Sequence, residues 1–313
     1  MDLTRVLGAQ LLIAPLLIWH GFNQSRKLHP HVVYATSIHF FATLIAGLVA
    51  VITRKPLVVT AHLGDVESLG RLKRFVTQTY ERTLGRLGLA RATRVIAVSA
   101  SVRDHLINIG VDEIKIVVVE NGVNTAVFTP SALNIDQSEP PRDVAVVGRL
   151  IANKGVVEVA EAFRYVTSDV TLSFVGTGPL AAALRDMAKT DGRIVLNGQS
   201  DNVALILAAA PIFVRYSTTE GRSLALLEAM ASGCAVVVSD IAANRDLIDH
   251  KRNGLVVPLG DPKKLAAAID LLADDGQLRR KLGAAARADV GHLDWDSVAR
   301  NTHKVISDAA DWS

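Results

Sequence analysis

The sequence predicts an α/β protein that contains two parallel sheets. Short, valine-rich runs alternate with helical segments through both halves of the chain, which is typical of successive β/α units. Some of these runs are apolar at every position, as in strands that are covered on both faces of a parallel sheet. A polar, proline-containing stretch at residues 129–142 separates the halves, and each half of this 313-residue chain has the size of an ordinary domain.

Composition and charge limit the kinds of partner. The net charge of +3 is too small and too evenly spread to predict nucleic-acid binding, but it is compatible with small anionic ligands or a lipid surface. Cys234 is the single cysteine, so an intrachain disulfide is excluded and a reducing compartment is indicated. Because Cys234 lies between a helix-ending glycine and a valine strand, we expect a buried thiol rather than a nucleophile.

Two apolar stretches raise the question of a membrane segment. Residues 7–19 contain Gln10 and Pro15 and are not followed by a small-residue cleavage site, so no signal peptide is expected. Residues 35–53 fall short of the ~20 apolar residues that a membrane span needs. We therefore favour a helix buried against a sheet, with an integral membrane protein as the alternative. The expected location is cytoplasmic, and the composition is compatible with peripheral contact with the inner membrane face.

The first half of the chain predicts four strands that alternate with helices. The predicted strands are residues 31–36, 56–61, 94–98 and 114–119. The predicted helices are residues 3–26, an apolar helix that ends at Thr53, an amphipathic helix at 66–91, and a helix that is capped by Ser99 or Ser101 and continues to residue 109. His62 follows the second of these strands.

The second half repeats the alternation. The predicted strands are residues 144–147, 171–175, 193–196, 212–216, 235–238 and 254–257. The predicted helices are residues 156–166, 180–190, 202–209 and 224–231, one opened by Asp261 and Pro262, and two more at the end of the chain, the last from about residue 295 to 310.

The most informative stretch covers residues 212–240 and predicts a strand, a loop, a helix and a second strand. Gly221 allows a tight turn after the first strand, and Ser223 is a favourable cap for the helix. The free amides at such a helix start form an anion site best suited to phosphate. Glu220 and Glu228 flank this site, where carboxylates suit sugar hydroxyls. The alternative is that both are ordinary surface glutamates.

A second cluster follows the first strand of the second half. Gly148 precedes Arg149 and Lys154, so two cations lie at the carboxyl end of a parallel strand, where such sheets bind ligands. They suit a diphosphate leaving group, because the guanidinium group of arginine can donate two parallel hydrogen bonds and the ammonium group of lysine is a compact positive charge. Residues 176–179 form another glycine turn at the same edge. Each turn alone is a weak signal.

Together, these motifs resemble the large family of retaining glycosyltransferases called family 4, which has the two-Rossmann-domain (GT-B) architecture. The most specific part is Glu220-x7-Glu228, within Glu-Gly-x-Ser-Leu-x-Leu-Leu-Glu-Ala-Met-Ala-x-Gly. The other matching segments are Gly148-Arg149-Leu150 with Lys154-Gly155, Gly176-x-Gly178-Pro179, Asn253-Gly254 with Gly260-Asp261-Pro262, Asn121-Gly122-Val123 with Phe128-x-Pro130, and the terminal helix around Trp295. The resemblance implies an acceptor-side domain at residues 1–128, a linker at 129–142, a nucleotide-sugar-binding domain at 143–294 and a C-terminal helix at 295–313.

The resemblance also implies a role for each site residue. Backbone and cationic positions would hold the donor's diphosphate, namely Gly148, Arg149, Lys154, Gly221, Ser223 and Leu224. Glu228 would bind the ribose hydroxyls, and Glu220 would bind the donor sugar. His62 would face the transferred sugar, with a purely structural histidine as the alternative. The expected catalytic residues are therefore His62, Arg149, Lys154 and Glu220.

The implied reaction moves a hexose from a nucleoside-diphosphate sugar to a hydroxyl of a glycan, lipid or small-molecule acceptor, with retention at the anomeric carbon. No metal or other cofactor is expected, because cations and helix amides would stabilise the departing diphosphate.

Some features depart from the family pattern. Arg222 stands where an aromatic residue is frequent, and Ala242-Ala243-Asn244 replaces a usual Gly-Gly-Asn turn, so a slightly different donor pocket is expected. The chain also begins at a helix, past the strand and glycine-rich loop that start the family's first domain. We therefore expect an incomplete N-terminal domain and slow transfer unless a separate polypeptide supplies the missing units. A non-catalytic, nucleotide-binding remnant is the alternative function.

Overall fold

The computed structural model describes residues 19–24, 27–36, 41–62, 75, 78–130 and 144–311. The chain divides into two compact units. The first consists of Met1–Asn121 together with Asp296–Ser313, and the second is Gly122–Trp295. Each unit has its own parallel sheet, which agrees with the α/β class that the sequence predicts.

Among its described residues, the first unit contains four parallel strands in the order β1-β2-β3-β4. The strands are β1 (Val33–Thr36), β2 (Leu57–Ala61), β3 (Arg94–Ala97) and β4 (Ile116–Val118). The helices are α1 (Phe41–Thr53), α2 (Arg86–Ala90) and α3 (Ala100–Asn108). Of the two predicted caps for α3, the structure selects Ser99, because its hydroxyl accepts a hydrogen bond from the amide of Val102.

Two predicted helices lie partly outside the described residues. Of the helix predicted at residues 3–26, residues 19–24 are described and are helical. The helix predicted at residues 66–91 is described continuously from residue 78, and a π-helical turn at Glu81–Gly85 interrupts it before α2. Apolar periodicity does not distinguish a single π turn from regular α-helix, so the sequence did not predict this turn.

Helix α1 corresponds to the apolar window at residues 35–53. It is 13 residues long, and Val49 and Ala50 on its inner face are buried. It packs against α2, where a Cβ at Gly88 would lie 3.4 Å from a methyl group of Leu44. Among the helices that the structure describes, none is both long enough and apolar enough to cross a membrane.

The part of the second unit that the structure describes contains six parallel strands. They are β5 (Val144–Val147), β6 (Leu172–Val175), β7 (Ile194–Gly198), β8 (Ile212–Arg215), β9 (Ala235–Ser239) and β10 (Leu255–Val257). The helices are α4 (Val156–Ala162), α5 (Ala181–Thr190), α6 (Val203–Ala209), α7 (Leu224–Ala231), α8 (Ala242–Arg245), α9 (Pro262–Asp274) and α10 (Gly276–Val290). Helix α8 was not predicted, and the predicted helix at 156–166 tightens after α4 into a 3-10 turn at Phe163–Tyr165.

The strand order of this sheet determines which loops meet at its expected binding edge. The order is β10-β9-β8-β5-β6-β7, so β5 and β8 are neighbours although two strands separate them along the chain. The strands after β5 extend the sheet in one direction, and those after β8 extend it in the other. Ligands of open parallel sheets bind at the carboxyl ends of strands where the order reverses in this way. The loops that follow β5 and β8 therefore meet at the expected binding edge.

The six-stranded sheet is buried on both faces. Alternate residues of β5 enter different apolar clusters, Val144 and Val146 on one face and Ala145 and Val147 on the other. Strands β8 and β9 contribute to the same two clusters. This two-sided burial explains why these strands are apolar up to their last residues, and it fixes the strand ends that carry the site.

The last helix, α11 (Trp295–Ala310), belongs mainly to the first unit. Val305 and Ala309 form an apolar cluster with Val58, Ile96 and Val119 of that unit. The chain therefore returns at its end to complete the core of the four-stranded sheet.

Candidate functional site

The loops after β5 and β8 are held together by close backbone contacts. The amide of Thr218 donates to the carbonyl oxygen of Asn153 at 3.0 Å. Gly155 has a φ of +63°, and a Cβ at this position would lie 2.0 Å from the carbonyl oxygen of Tyr216. Glycine alone permits both the left-handed backbone and this approach. Lys154, which precedes Gly155, is thereby brought beside the residues that follow β8.

Lys154 and Glu220 form the centre of the site. Nζ of Lys154 lies 2.7 Å from Oε1 and 2.8 Å from Oε2 of Glu220, and the two side chains are 18% and 8% exposed. Burial and then the charge of Arg215 lower the pKa of Lys154, although Glu220 opposes this shift. Burial raises the pKa of Glu220, but Arg215 and Lys154 together outweigh it, so this pKa lies below its ordinary value. The carboxylate of Glu220 is therefore ionised at neutral pH.

Arg215 joins this pair, and sequence analysis missed it. Its Nε donates to Oε1 of Glu220 at 2.8 Å, and its Nη1 donates to the carbonyl oxygen of Val147 at 3.1 Å. The side chain is only 6% exposed. The available signal was a charged residue at the end of a strand that is otherwise apolar. Two cations therefore share one carboxylate, which leaves a surplus positive charge at this edge.

A chain of hydrogen bonds supports Glu220 from the other side. Oγ of Ser217 donates to Oε1 of Glu220 at 2.7 Å. Oγ of Ser239 donates to the carbonyl oxygen of Ser217, and Nδ2 of Asn244 donates to Oγ of Ser239 at 3.1 Å. Asn244 belongs to the segment that departs from the family pattern, and it is buried. This segment therefore supports the loop after β8.

Helix α7 begins next to this cluster. Oγ of Ser223 accepts a hydrogen bond from the amide of Leu226 at 3.3 Å, which confirms Ser223 as the cap. Gly221 and Ser223 are buried, whereas Leu224 at the first helical position is exposed. The first turn of α7 thus reaches the surface of the unit, and its free amides give this helix end a partial positive charge.

Glu228 lies one turn further along α7, on the same face as Leu224. It is partly buried, and burial raises the pKa of its carboxyl above the ordinary value. Within the described part of the chain, no residue donates a hydrogen bond to this carboxylate. Glu228 is therefore placed to accept hydrogen bonds from a ligand that reaches the start of α7.

Arg149 and the glycine turns complete the edge at β5. Arg149 is exposed, and its charge adds to the effect of burial in lowering the pKa of Lys154. The amide of Leu150 donates to the carbonyl oxygen of Thr177, and the amide of Leu180 donates back to the carbonyl oxygen of Leu150. The predicted glycine turn at residues 176–179 is thus bonded to the loop that carries Gly148 and Arg149.

Two further residues that the sequence analysis singles out are His62 and Cys234. His62 follows β2 in the first unit, where its side chain is exposed and partial desolvation lowers its pKa. Its role opposite the transferred sugar stays a prediction. Cys234 is buried, its Sγ donates to the carbonyl oxygen of Leu207 at 3.3 Å, and burial raises the pKa of the thiol to about 12. Cys234 is therefore the core thiol that the sequence predicts.

The charges gathered at this edge define its chemistry. Arg149, Lys154 and the start of α7 favour an anion with more than one negative charge. Glu220 and Glu228 accept hydrogen bonds and so favour hydroxyl groups on either side of that anion. Among the residues that the structure describes, no group of three or more histidine, cysteine, aspartate or glutamate side chains could hold a metal ion.

Two protein-family models match this chain. "Glycosyltransferase Family 4" matches residues 4–127, and "Glycosyl transferases group 1" matches residues 141–275. Together they cover most of the chain, and the second range contains every residue of the cluster at β5 and β8.

Relatives and solved structures of similar fold span most of the chain. Alpha-maltose-1-phosphate synthase of Mycolicibacterium smegmatis is 27% identical across 94% of this chain and 82% of that relative. A phosphatidyl-myo-inositol mannosyltransferase of the same organism is 27% identical across 92% and 72%. Anabaena HepE in complex with UDP and glucose superimposes with a TM-score of 0.81 at 21% identity, covering 96% of this chain and 84% of that chain. Sucrose-phosphate synthase from Thermosynechococcus elongatus gives 0.81 at 22% identity, covering 97% and 80%.

Proposed function

Because this chain belongs to glycosyltransferase family 4, we propose that it transfers a hexose from a nucleoside-diphosphate sugar to an acceptor hydroxyl and retains the anomeric configuration. The chain has the GT-B fold and is a sugar-transferring enzyme. The observation that carries the finer proposal is the position of Lys154 and Glu220 beside the start of α7, at the carboxyl ends of β5 and β8. The non-catalytic alternative is not favoured by these relatives.

The donor binds along this edge. Arg149, Lys154 and the first amides of α7 hold the diphosphate, because they combine two cations with a helix start. Glu228 accepts hydrogen bonds from the ribose hydroxyls, which gives its half-buried carboxylate the partners that the described residues do not supply. Glu220 holds a hydroxyl of the hexose.

The protein's contribution to transfer is electrostatic. As the bond between the anomeric carbon and the phosphate oxygen breaks, negative charge grows on the diphosphate, where Lys154, Arg149 and the helix amides stabilise it. The acceptor oxygen then bonds to the anomeric carbon on the face that the diphosphate leaves, and the proton of the acceptor hydroxyl passes to the departing phosphate oxygen. These groups neutralise the leaving group without a divalent ion, so we expect transfer to continue at full rate in EDTA.

The first donor to test is UDP-glucose, and the first acceptor is a lipid headgroup. Anabaena HepE is a structural neighbour in complex with UDP and glucose, and one relative is named for the mannosylation of phosphatidyl-myo-inositol. UDP-, GDP- and ADP-hexoses should each be incubated with the enzyme and with vesicles, monosaccharides or glycerol as acceptors. The release of nucleoside diphosphate and the anomeric configuration of the product, by NMR, are the readouts.

We expect one donor to give acceptor-dependent release and a product with the same anomeric configuration as that donor. The Glu220→Gln variant is the background control, because it keeps the size of the side chain but removes its charge. Release no faster than in this control for every donor would reject the transferase proposal. An inverted product would reject retention.

A surface of the first unit supports a second proposal, peripheral contact with an anionic membrane. We define the apolar–basic patch by exposed side chains of α1, the neighbouring π turn and α2, and of the residue that follows each of the two helices. Its apolar members are Leu48, Val51, Ile52, Leu84 and Leu87. Its basic members are Arg54, Arg82, Arg86 and Arg91. Helices α1 and α2 pack directly against each other, so the two sets of side chains adjoin.

The charge of the patch favours anionic lipid over a protein partner of mixed charge. Within residues 41–62 and 78–93, Glu81 is the one acidic residue, and it is 1% exposed. Exposed leucine and isoleucine with arginine around them, and no exposed carboxylate within these two segments, suit the boundary between anionic headgroups and acyl chains. Such contact would also bring the enzyme to a lipid acceptor.

Vesicle sedimentation tests this contact. The protein should sediment with phosphatidylglycerol vesicles and not with phosphatidylcholine vesicles, and Leu87→Glu or Val51→Glu should reduce the bound fraction. Leu205→Glu is the matched control, since Leu205 is 66% exposed on α6 of the second unit. Equal binding to both vesicle types, or equal loss in the control, would reject the patch as the contact.

A further inference from the structure

We propose that Arg215 is a positioning residue that holds Glu220 in place when a bound diphosphate draws Lys154 away from it. The inference rests on the proposed function, because it requires a diphosphate at the edge of β5 and β8. Arg215 lies outside the motifs that carry the family resemblance, and its role follows from the contacts of its guanidinium group.

The two oxygens of Glu220 have different partners. Oε1 accepts hydrogen bonds from Lys154, Arg215 and Ser217. Oε2 accepts one from Lys154, and no other described residue donates to it. When Lys154 turns to a phosphate oxygen, Oε1 therefore keeps two donors and Oε2 becomes free. A free Oε2 is what Glu220 needs to accept a hydrogen bond from a sugar hydroxyl.

The two cations differ in their freedom to move. Lys154 is the more exposed, at 18%, and its ammonium group is carried by a flexible stem. Arg215 is 6% exposed, and its Nη1 is fixed to the carbonyl oxygen of Val147. The guanidinium also packs on Gly148, where a Cβ would lie 3.1 Å from Nη1. Lys154 can therefore exchange partners, while Arg215 stays with Glu220.

Charge explains why the second cation is needed. Glu220 is largely buried, and a buried carboxylate that loses its only counter-charge is strongly disfavoured. With Lys154 as the sole partner, phosphate binding would have to break that pair and leave Glu220 uncompensated. Arg215 removes this conflict, because it remains the counter-charge of Glu220 after Lys154 has moved.

A double-mutant cycle tests the proposal with UDP as the probe, or with GDP or ADP if the wild type binds one of them more tightly. The variants are Arg215→Met, Glu220→Gln and the combination of both, and calorimetry gives the dissociation constants. In the wild-type background, Arg215→Met should weaken the binding of UDP by about 10-fold more than it does in the Glu220→Gln background. The reason is that only an ionised Glu220 competes for Lys154. Equal weakening in both backgrounds would show a merely structural role and overturn the proposal.

Two further variants keep the result decisive. Arg215→Lys retains a positive charge and should recover part of the lost affinity, and Arg215→Gln takes the place of Arg215→Met in the cycle if Arg215→Met does not fold. Arg279→Met is the matched control, since Arg279 is equally buried and donates to the carbonyl oxygens of Leu272 and Ala273. It should change stability without changing the affinity for UDP. If the folded wild type binds no nucleoside diphosphate, the proposed function fails; if it binds but shows no coupling, only the role of Arg215 fails.

Discussion

Nζ of Lys154 lies 2.7 and 2.8 Å from the two carboxylate oxygens of Glu220, although 66 positions separate the residues in sequence. A phosphate oxygen would compete with Glu220 for the same ammonium group. The pair therefore links the binding of the donor's diphosphate to the release of the carboxylate that we assign to the donor sugar. The predictions below test the parts of this arrangement separately.

Removing the charge of Glu220 should separate binding from turnover. In Glu220→Gln, Lys154 no longer has to leave a carboxylate, so UDP should bind as tightly as in the wild type or several-fold more tightly. The turnover number should fall by about 100-fold, because the sugar loses its positioning group. Lys154→Met should instead weaken UDP binding by about 10-fold or more, since it removes a charge-assisted hydrogen bond.

Calorimetry and steady-state kinetics check these opposite effects. Asp270→Asn is a suitable control, because Asp270 accepts hydrogen bonds from Thr167 and Ser168, which lie outside the site cluster. It should leave both UDP affinity and turnover unchanged. A loss of UDP affinity in Glu220→Gln as large as in Lys154→Met would contradict the exchange of Lys154 between the two anions.

Glu228 should discriminate nucleoside diphosphates from inorganic pyrophosphate. Glu228→Ala removes an acceptor for ribose hydroxyls, so UDP should bind about 10-fold more weakly, while pyrophosphate, which has no ribose, should bind as before. Competition between each anion and a fluorescent nucleotide gives both constants. Equal losses for UDP and pyrophosphate would remove Glu228 from the ribose role.

Acid should remove the contribution of Glu220 to stability. Its carboxyl has a pKa below the ordinary value of 4.5, since the charges of Arg215 and Lys154 outweigh the opposing effect of burial. For a group with a lowered folded-state pKa, the stabilisation is fully present above the unfolded-state pKa and is lost as pH falls through the folded-state pKa. Urea unfolding from about pH 6 to about pH 3 should therefore show the stability of wild type approaching that of Glu220→Gln. A difference that stays constant over this range would contradict the lowered pKa.

Gly155→Ala should loosen the contact between the loops after β5 and β8. The added Cβ would lie 2.0 Å from the carbonyl oxygen of Tyr216, at a residue with a φ of +63°. We expect a loss of about 1–3 kcal/mol in the free energy of unfolding, together with weaker UDP binding. Gly260→Ala separates the two causes, because Gly260 has a φ of +76° but no atom within 4 Å of the added Cβ. Equal destabilisation by both changes would mean that backbone strain, and not the close approach, makes Gly155 necessary.

Much of the second unit could be predicted from its sequence. Runs such as residues 235–238 are apolar throughout because both faces of the sheet are covered, and Ser223 has the residue type and position of a helix cap. Glu220 and Glu228 were found because their spacing, from the loop after β8 into α7, is part of a recognisable motif. These features are local, so a short window of sequence contains the physical reason for each.

Two features that the sequence did not predict depend on contacts between distant segments. Arg215 acquires its role only when β8 pairs with β5 and brings the carbonyl oxygen of Val147 within reach. The link from Asn244 through Ser239 to the loop after β8 likewise requires that β9 lie beside β8. The π turn at Glu81–Gly85 changes the hydrogen bonding of a helix without changing its apolar pattern.

The most direct test of the central claim is a crystal structure of the enzyme with the nucleoside diphosphate that binds most tightly. We predict that a phosphate oxygen will lie within hydrogen-bond distance of Nζ of Lys154 and of an amide in the first turn of α7. The ribose hydroxyls should lie at the carboxylate of Glu228, and Arg215 should remain on Glu220. A nucleotide bound elsewhere on the protein, or bound at this edge while Lys154 keeps both contacts with Glu220, would contradict the account.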